Sequence, residues 1–411
     1  MRGVLVPVLA GILGLSACAG APAETPMVWP ACGHVDTFPV ADWGAANPEQ
    51  SGWDLDALAR ARAAFEGQDS AAVMVIHRGK LVAAWGDVAA RYTAQSVRKA
   101  LLNSLVGQLV GEGRVGLDQT LAELGIDDVS PPLTEAEKQA TVRDLLMSRS
   151  GIFHSALYEV GGWKKLREQM AADELAAGAD VYPHGATWIY NNWDFNALGT
   201  IVEQVAGEEI GPLFARRIAA PTGMQDFHPG DVAYTTADQM AEKRFGNVSR
   251  HRAYVFDIST RDLARYGLLY LNCGQWGGQQ IVPRDWVLAS IVGPDTNKGW
   301  PVRLRPTGFG EYGYLWQIDR PGARRFSTLH TRAPSYFATG NRGHVLGVFP
   351  SLDLVIAHQV ATVGGVSDAA QMKRAVEGSP EVAEDQIAAL FEAIIKAHPD
   401  AATAFEISAG D

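Results

Sequence analysis

Apolar positions recur every three to four residues at Trp53, Leu55, Leu58, Ala61 and Phe65, and this spacing predicts an amphipathic helix over 53–65. Ala71–His77 is a run of β-forming residues. Arg78-Gly79-Lys80 reads as a turn, and Leu81–Trp85 as the returning strand. Ser96–Glu112 is helical in pattern, with Leu101, Leu102, Leu105, Val106 and Leu109 on one side and Gly111 and Gly113 at its end. The stretch from 97 to 270 then reads mostly as helix and long loop, with helices at Thr141–Met147, Ala197–Ala206 and Thr260–Leu271. Strand character returns at Ser335–Thr339 and His344–Phe349, which flank a Gly340-Asn341-Arg342-Gly343 turn, and at Leu352–Val360 after Pro350. Val382–Ala397 closes the pattern as an amphipathic helix.

The order of these elements carries the fold class. A helix and a hairpin come first, a long helical region follows, and three strands and a helix come last. Antiparallel neighbours can come from the two ends of a chain, with the helical region inserted between them. The expectation is an α/β fold: an antiparallel sheet flanked by helices, built from 46–95 and 275–400, plus an inserted mostly helical domain over 96–274. A site would lie in the crevice between the two.

Composition narrows the partners. The 411-residue chain carries a formal net charge of -11 and no basic run, which argues against nucleic acid, since phosphate neutralisation needs clustered Lys and Arg. Arg2, the apolar stretch Val4–Leu15 and then Ser16-Ala17-Cys18 make a secretory leader too short to span a bilayer comfortably. Leu15-Ser16-Ala17-Cys18 is similar to a bacterial lipobox, so residues 1–18 are expected to be a lipoprotein-type signal with Cys18 lipidated; the alternative is an ordinary leader cut near Ala21. Residues 19–45, rich in Ala and Pro as far as 30, read as a tether. The expected location is the bacterial cell envelope, on the periplasmic side, with the membrane touched only through the anchor. Cys32 and Cys273 remain, either as a disulfide or as two buried thiols.

Three segments carry candidate chemistry. In Ser96-Val97-Arg98-Lys99, positions i and i+3 share a helix face, so the hydroxyl and the amine can touch. A serine hydroxyl needs a base, and a lysine serves as one when burial or nearby positive charge lowers its pKa. Tyr190-Asn191-Asn192 offers a phenol for proton transfer and an amide, on Asn192, able to hold the lysine or a carbonyl oxygen. A second Tyr-x-Asn, Tyr270-Leu271-Asn272, ends an apolar helix and reads as packing and a cap. Acyl transfer also needs two oxyanion donors: the Ser96 N–H, and a strand edge around Ala338, Thr339 and Gly340. There is no Gly-x-Ser-x-Gly elbow, no His-Glu-x-x-His and no phosphate-binding Gly-rich loop ending in Lys-Ser or Lys-Thr, and the reading calls for no metal or cofactor. His154 and His184 lie in loops near the proposed site and read as surface or capping residues.

Taken together, the chain resembles the β-lactamase-related serine hydrolases, which include class C β-lactamases, D-alanyl-D-alanine carboxypeptidases, esterases and 6-aminohexanoate-dimer hydrolases. Ser96 and Lys99 match the family's Ser-x-x-Lys, and Tyr190 and Asn192 its Tyr-x-Asn. The stretches Val142–Gly151, Tyr190–Gly199, Arg261–Gly267 and Pro350–Leu354 are also similar, in the family's order, over roughly residues 50 to 395. The resemblance implies a β-lactamase-like fold and an acyl-enzyme on Ser96, with Lys99 and Tyr190 moving its proton, acting on a small-molecule ester or amide. One departure stands out. Penicillin-recognising members carry Lys-Thr-Gly or His-Thr-Gly on the third strand, whereas this chain has Ala338-Thr339-Gly340, with His330-Thr331-Arg332 as a runner-up. Loss of that cation removes a charge-assisted partner for a carboxylate and favours esters or small amides. A weak β-lactamase or D-alanyl-D-alanine carboxypeptidase is the second reading, and a non-catalytic envelope binding protein the third.

Overall fold

The computed structural model describes residues 32–129, 131–156, 161–178, 181–235, 249–292, 311–320, 324–362 and 380–405; Cys18 and the leader lie outside them. Along the chain, helix α1 (Leu55–Glu66) precedes the hairpin β1 (Ser70–His77) and β2 (Lys80–Gly86). Strand β3 (Arg91–Thr93) leads into a 3-10 turn (Gln95–Val97) and helix α2 (Arg98–Gly111). Helix α3 (Asn192–Ala206), β4 (Val232–Thr235), β5 (Ala253–Ser259) and α4 (Thr260–Leu271) follow. A short hairpin, β6 (Gln275–Trp276) and β7 (Gln279–Gln280), precedes α5 (Arg284–Val292). The chain then runs through β8 (Glu311–Tyr312), β9 (Gln317–Asp319), β10 (Ser335–Gly340), β11 (His344–Phe349) and β12 (Leu354–Val360) to α6 (Glu384–Lys396).

The main sheet has seven strands in the order β2-β1-β12-β11-β10-β9-β8, antiparallel throughout its pairs. As the sequence order implies, the two ends of the chain meet in its centre, with Val75 opposite Ile356. Alternate residues of each strand point to opposite faces. Val73 and Val75 therefore join α1 and α6 in one core, through Ala61, Phe65, Leu390, Phe391 and Ile394. Met74 and Ile76 join the helical layer on the other face. With both faces covered, the central strands read as unbroken apolar runs. Helix α4 lies directly on the sheet at Gly267, where a Cβ would meet Val355 Cγ1 at 2.5 Å and Leu346 Cδ1 at 2.8 Å.

The structure departs from the sequence reading in four places. The edge strands β8 and β9 are two and three residues long, too short to give a period, and were not expected. A three-stranded sheet, β3-β5-β4, has two of its strands, β4 and β5, within the region read as helical. Strand β12 begins at Leu354 because Pro350–Leu352 forms a 3-10 turn and Asp353 is left-handed, with φ 49°. The tether expected over 19–45 does not extend through residues 32–45. Cys32 is bridged to Cys273, Gly33 N donates to Leu271 O, and the Arg265 guanidinium donates to the Pro39 and Ala41 carbonyls.

Candidate active site

The segment joining β3 to α2 presents Ser96. Gln95, just before it, holds a left-handed backbone with φ 51°, a conformation that costs a non-glycine residue about 1–2 kcal/mol. Ser96 lies in the 3-10 turn rather than in the regular helix expected from residue 96, but its three-residue offset from Lys99 survives. Lys99 Nζ is 2.8 Å from Ser96 Oγ. The lysine is buried, and its Nζ lies 4.9 Å from the ring centre of Tyr190 and 4.8 Å from that of Phe195. Burial, followed by the positive charge of neighbouring Arg98, pushes the Lys99 pKa well below the ordinary lysine value. Arg98 is itself buried, donating to Asn196 Oδ1 at 3.0 Å and stacking 4.3 Å over the Tyr254 ring.

Tyr190 arrives from the loop that enters α3. Burial pushes its phenol up to about 12; the hydrogen bond with Ser96 and the charges of Arg98 and Arg325 act in the opposite direction. Asn191 is the N-cap of α3, its side chain accepting from Trp193 N at 3.0 Å, and Asn192 is the buried first residue of that helix. The loop is clamped from behind by Ser148-Arg149-Ser150. Ile189 N donates to Ser148 O at 3.0 Å, Ser148 Oγ donates to Ile189 O at 2.7 Å, and Asn191 N donates back to Ser148 Oγ at 3.1 Å. Beneath it, Ser150 Oγ donates to Asp194 Oδ1 at 2.5 Å, and Asn191 Nδ2 donates to Ile152 O at 2.6 Å. Asp194 is fully buried, and burial pushes its carboxyl well above the usual carboxylate range. Ser148, Ser150 and Asp194 were not singled out as site residues. Their signal was the match of both stretches, Val142–Gly151 and Tyr190–Gly199, to one family.

The strand edge comes from β10. At Gly340 a Cβ would meet Ala94 O at 2.7 Å and Gln95 Cβ at 2.9 Å, so this strand end lies against the segment that carries Ser96. Strand β9 pairs with β10 only over Ser335–Phe337, so Ala338, Thr339 and Gly340 run past the end of β9. Among the described residues they pair with a strand on the β11 side alone. The Ser96 N–H belongs to the first turn of a helical segment, whose leading donors have no acceptor within the turn.

The competing segments go elsewhere. Tyr270 is fully buried, donates to Asn103 Oδ1 and packs 4.8 Å from Trp316. His330-Thr331-Arg332 lies off the sheet, where Thr331 bridges to Phe405 and Arg332 N donates to Ala404 O. His184 pairs with Asp144 at 3.0 Å and His154 with Glu137 at 3.0 Å.

Against known proteins, the profile of the Beta-lactamase family matches residues 55–378. An uncharacterized protein of Alkalihalophilus pseudofirmus is 23% identical over 317 residues, covering 72% of this chain and 84% of that protein. A Bacillus anthracis protein described as a 6-aminohexanoate-dimer hydrolase has a similar structure, with a TM-score of 0.51 and 17% identity over 84% of this chain and 88% of its own. A penicillin-binding protein homologue of Caulobacter crescentus has a TM-score of 0.52 and 18% identity, covering 82% and 98% of the two chains. At these identities the two structures speak for the fold alone.

Proposed function

The chain belongs to the Beta-lactamase family, and from that premise we propose that it is a serine hydrolase which cleaves an ester or a small amide through an acyl-enzyme on Ser96. The observation that carries this reading is the buried Lys99 amine 2.8 Å from the Ser96 hydroxyl. Lowering the lysine pKa well below its ordinary value favours the neutral amine, the form that accepts a proton. Tyr190, pushed up to about 12, keeps its proton and can give it away.

The steps follow from those two states. Ser96 Oγ attacks the carbonyl carbon while its proton passes to Lys99 Nζ. The oxyanion is held by the Ser96 N–H and a donor from Ala338–Gly340. As the carbon–heteroatom bond breaks, the leaving atom takes a proton from Tyr190, which is restored from the Lys99 ammonium. Water then attacks the acyl carbonyl as the Lys99 amine takes its proton, and that proton returns to Ser96 Oγ as the acyl–oxygen bond breaks and the acid leaves.

Labelling of the mature protein with a fluorophosphonate, beside a fluorescent penicillin and a Ser96→Ala control, tests the reading. Ser96-dependent labelling by the fluorophosphonate alone fits the ester and amide reading, and labelling by both probes moves the assignment to a penicillin-recognising enzyme. Labelling by neither ends it in favour of the binding protein. The same reading keeps the protein at the cell envelope on a Cys18 lipid. The Cys32–Cys273 disulfide supports this, because such bridges persist in oxidising compartments. Radiolabelled palmitate that enters the wild-type chain but not Cys18→Ala would test it.

A further inference from the structure

His344 is a buried titratable group that the acyl-transfer steps leave unused, and it lies close behind the nucleophile segment. It opens β11 opposite Gly340. Alternation along β11 puts it on the same face as Leu346, which packs in the core shared with the helical layer. At Gly340 a Cβ would meet both Gln95 Cβ at 2.9 Å and His344 Cβ at 3.1 Å, so the histidine, the strand end and the segment before Ser96 crowd one point. The imidazole also reaches that segment through a single hydroxyl. His344 Nε2 is 2.9 Å from Thr362 Oγ1, and Thr362 Oγ1 donates to Thr93 O at 3.1 Å. Thr93 N returns a bond to Thr362 O at 3.4 Å.

We propose that His344 is a positioning residue for Ser96: through Thr362 it fixes the Thr93–Gln95 segment against the Gly340 strand end, and so sets the gap between the two oxyanion donors. The assignment rests on the hydrolase reading above and adds a residue to its site. Three points support it. Thr362 has one hydroxyl proton, and with that proton on Thr93 O the contact to His344 is one that the imidazole donates. Nδ1 is then the bare nitrogen, and among the described residues it meets no partner. Burial, followed by neighbouring His358, pushes the imidazole down to about 3, which keeps the neutral form with its single N–H. Finally, Gln95 holds φ 51°, and a residue in a sparsely populated conformation persists only where its surroundings over-determine it. The two bonds between Thr93 and Thr362 restrain the chain just upstream, and Ala94 N, donating to Phe256 O at 2.8 Å, restrains the next residue.

Turnover of p-nitrophenyl acetate, expressed per site titrated with a fluorophosphonate, tests this, because the titration counts only folded and reactive enzyme. His344→Leu removes the donor and should lower kcat by about 10- to 100-fold, the scale of a misplacement near 1 Å, with KM within about threefold of wild type. Thr362→Val removes the hydroxyl and keeps the shape. It should cost as much, and the double variant should be no slower than either single one. A Gln amide nitrogen can stand where Nε2 stands, and an Asn amide nitrogen stands nearer Nδ1. His344→Gln should therefore recover most of the loss, and His344→Asn should not. A kcat unchanged by His344→Leu, losses that multiply in the double variant, or a Gln no better than Leu would mark a packing role and overturn the proposal. If His344→Leu yields no folded protein, Thr362→Val read against Thr362→Ser decides: a loss in Val that Ser recovers upholds the relay, and full kcat in Val sinks it. Labelling of the wild type separates the two failures. A wild type labelled on Ser96 whose variants match it ends the His344 assignment alone, whereas an unlabelled wild type that turns over no ester ends the hydrolase reading and this assignment with it.

Discussion

Two segments of this chain share the pattern Tyr-x-Asn, and the fold treats them in opposite ways. Tyr190-Asn191-Asn192 enters helix α3, and Tyr270-Leu271-Asn272 leaves helix α4. Before a helix begins, the backbone is extended and set by its cap, so a side chain there can be aimed out of the helix. Tyr190 is aimed at Ser96 and Lys99. In the last turn of a helix, a side chain keeps the direction of the helix face, and α4 faces the core. Tyr270 accordingly lies between Tyr266 and Trp316, with its hydroxyl on Asn103. Burial raises both phenols, so burial does not distinguish them. What differs is the company: the Ser96 hydroxyl and the Lys99 amine at one, a core amide at the other.

The sharpest way to break this contrast is to remove the group that gives Tyr190 its role. Ser96→Ala should lower ester kcat/KM by roughly 10^5-fold or more while leaving the denaturation midpoint near wild type. Residual turnover above that level would mean another nucleophile. Next in size, Tyr190→Phe keeps the ring on Phe195 and removes only the hydroxyl with its transferable proton, and kcat should fall about 10^2–10^4-fold. The same change at Tyr270 should leave kcat within a few-fold, and equal losses at the two positions would erase the distinction.

The proton inventory adds a pH test. Burial lowers the Lys99 pKa, so the amine loses its proton well below the ordinary lysine value. Activity should be high where the amine is neutral and fall by about tenfold per pH unit on the acid side of that lowered pKa. Tyr190, near 12, stays protonated across this range and adds no limb to it. A kcat/KM profile that rises only above about pH 10, the ordinary lysine range, would contradict this division of roles. The smallest effect belongs to the core tyrosine. Tyr270→Phe removes one buried hydrogen bond, and Asn103 Oδ1 still accepts from Trp286 Nε1 at 3.0 Å. Stability should drop by about 1 kcal/mol in chemical denaturation.

Much of this was legible beforehand. The α1–β1–β2 opening, the β10–β11–β12–α6 close and helix α4 fall where the periodicity puts them, because regular elements packed on one core must repeat their apolar positions at 2 or 3.6 residues. Edge strands of two or three residues leave no such trace, so β8 and β9 were missed. The clamp of Ser148 and Ser150 on the Tyr190 loop was equally silent. Hydrogen bonds to backbone from across a loop impose no spacing on the sequence.

By itself, then, the order of residues determined the α/β class, the meeting of the chain ends in one sheet, and the Ser96–Lys99 pairing. The last is local, since a three-residue offset on a helical turn brings two side chains together whatever the rest of the chain does. Only the tertiary structure decided which tyrosine joins them, that Cys32 meets Cys273 across 241 residues, and that His344 meets Thr362 beside the Ser96 segment. It also decided that Lys99 is buried, with its pKa lowered by that burial. Those are statements about burial and about neighbours far apart in sequence. Burial depends on every element packed around a group, and no single segment encodes it.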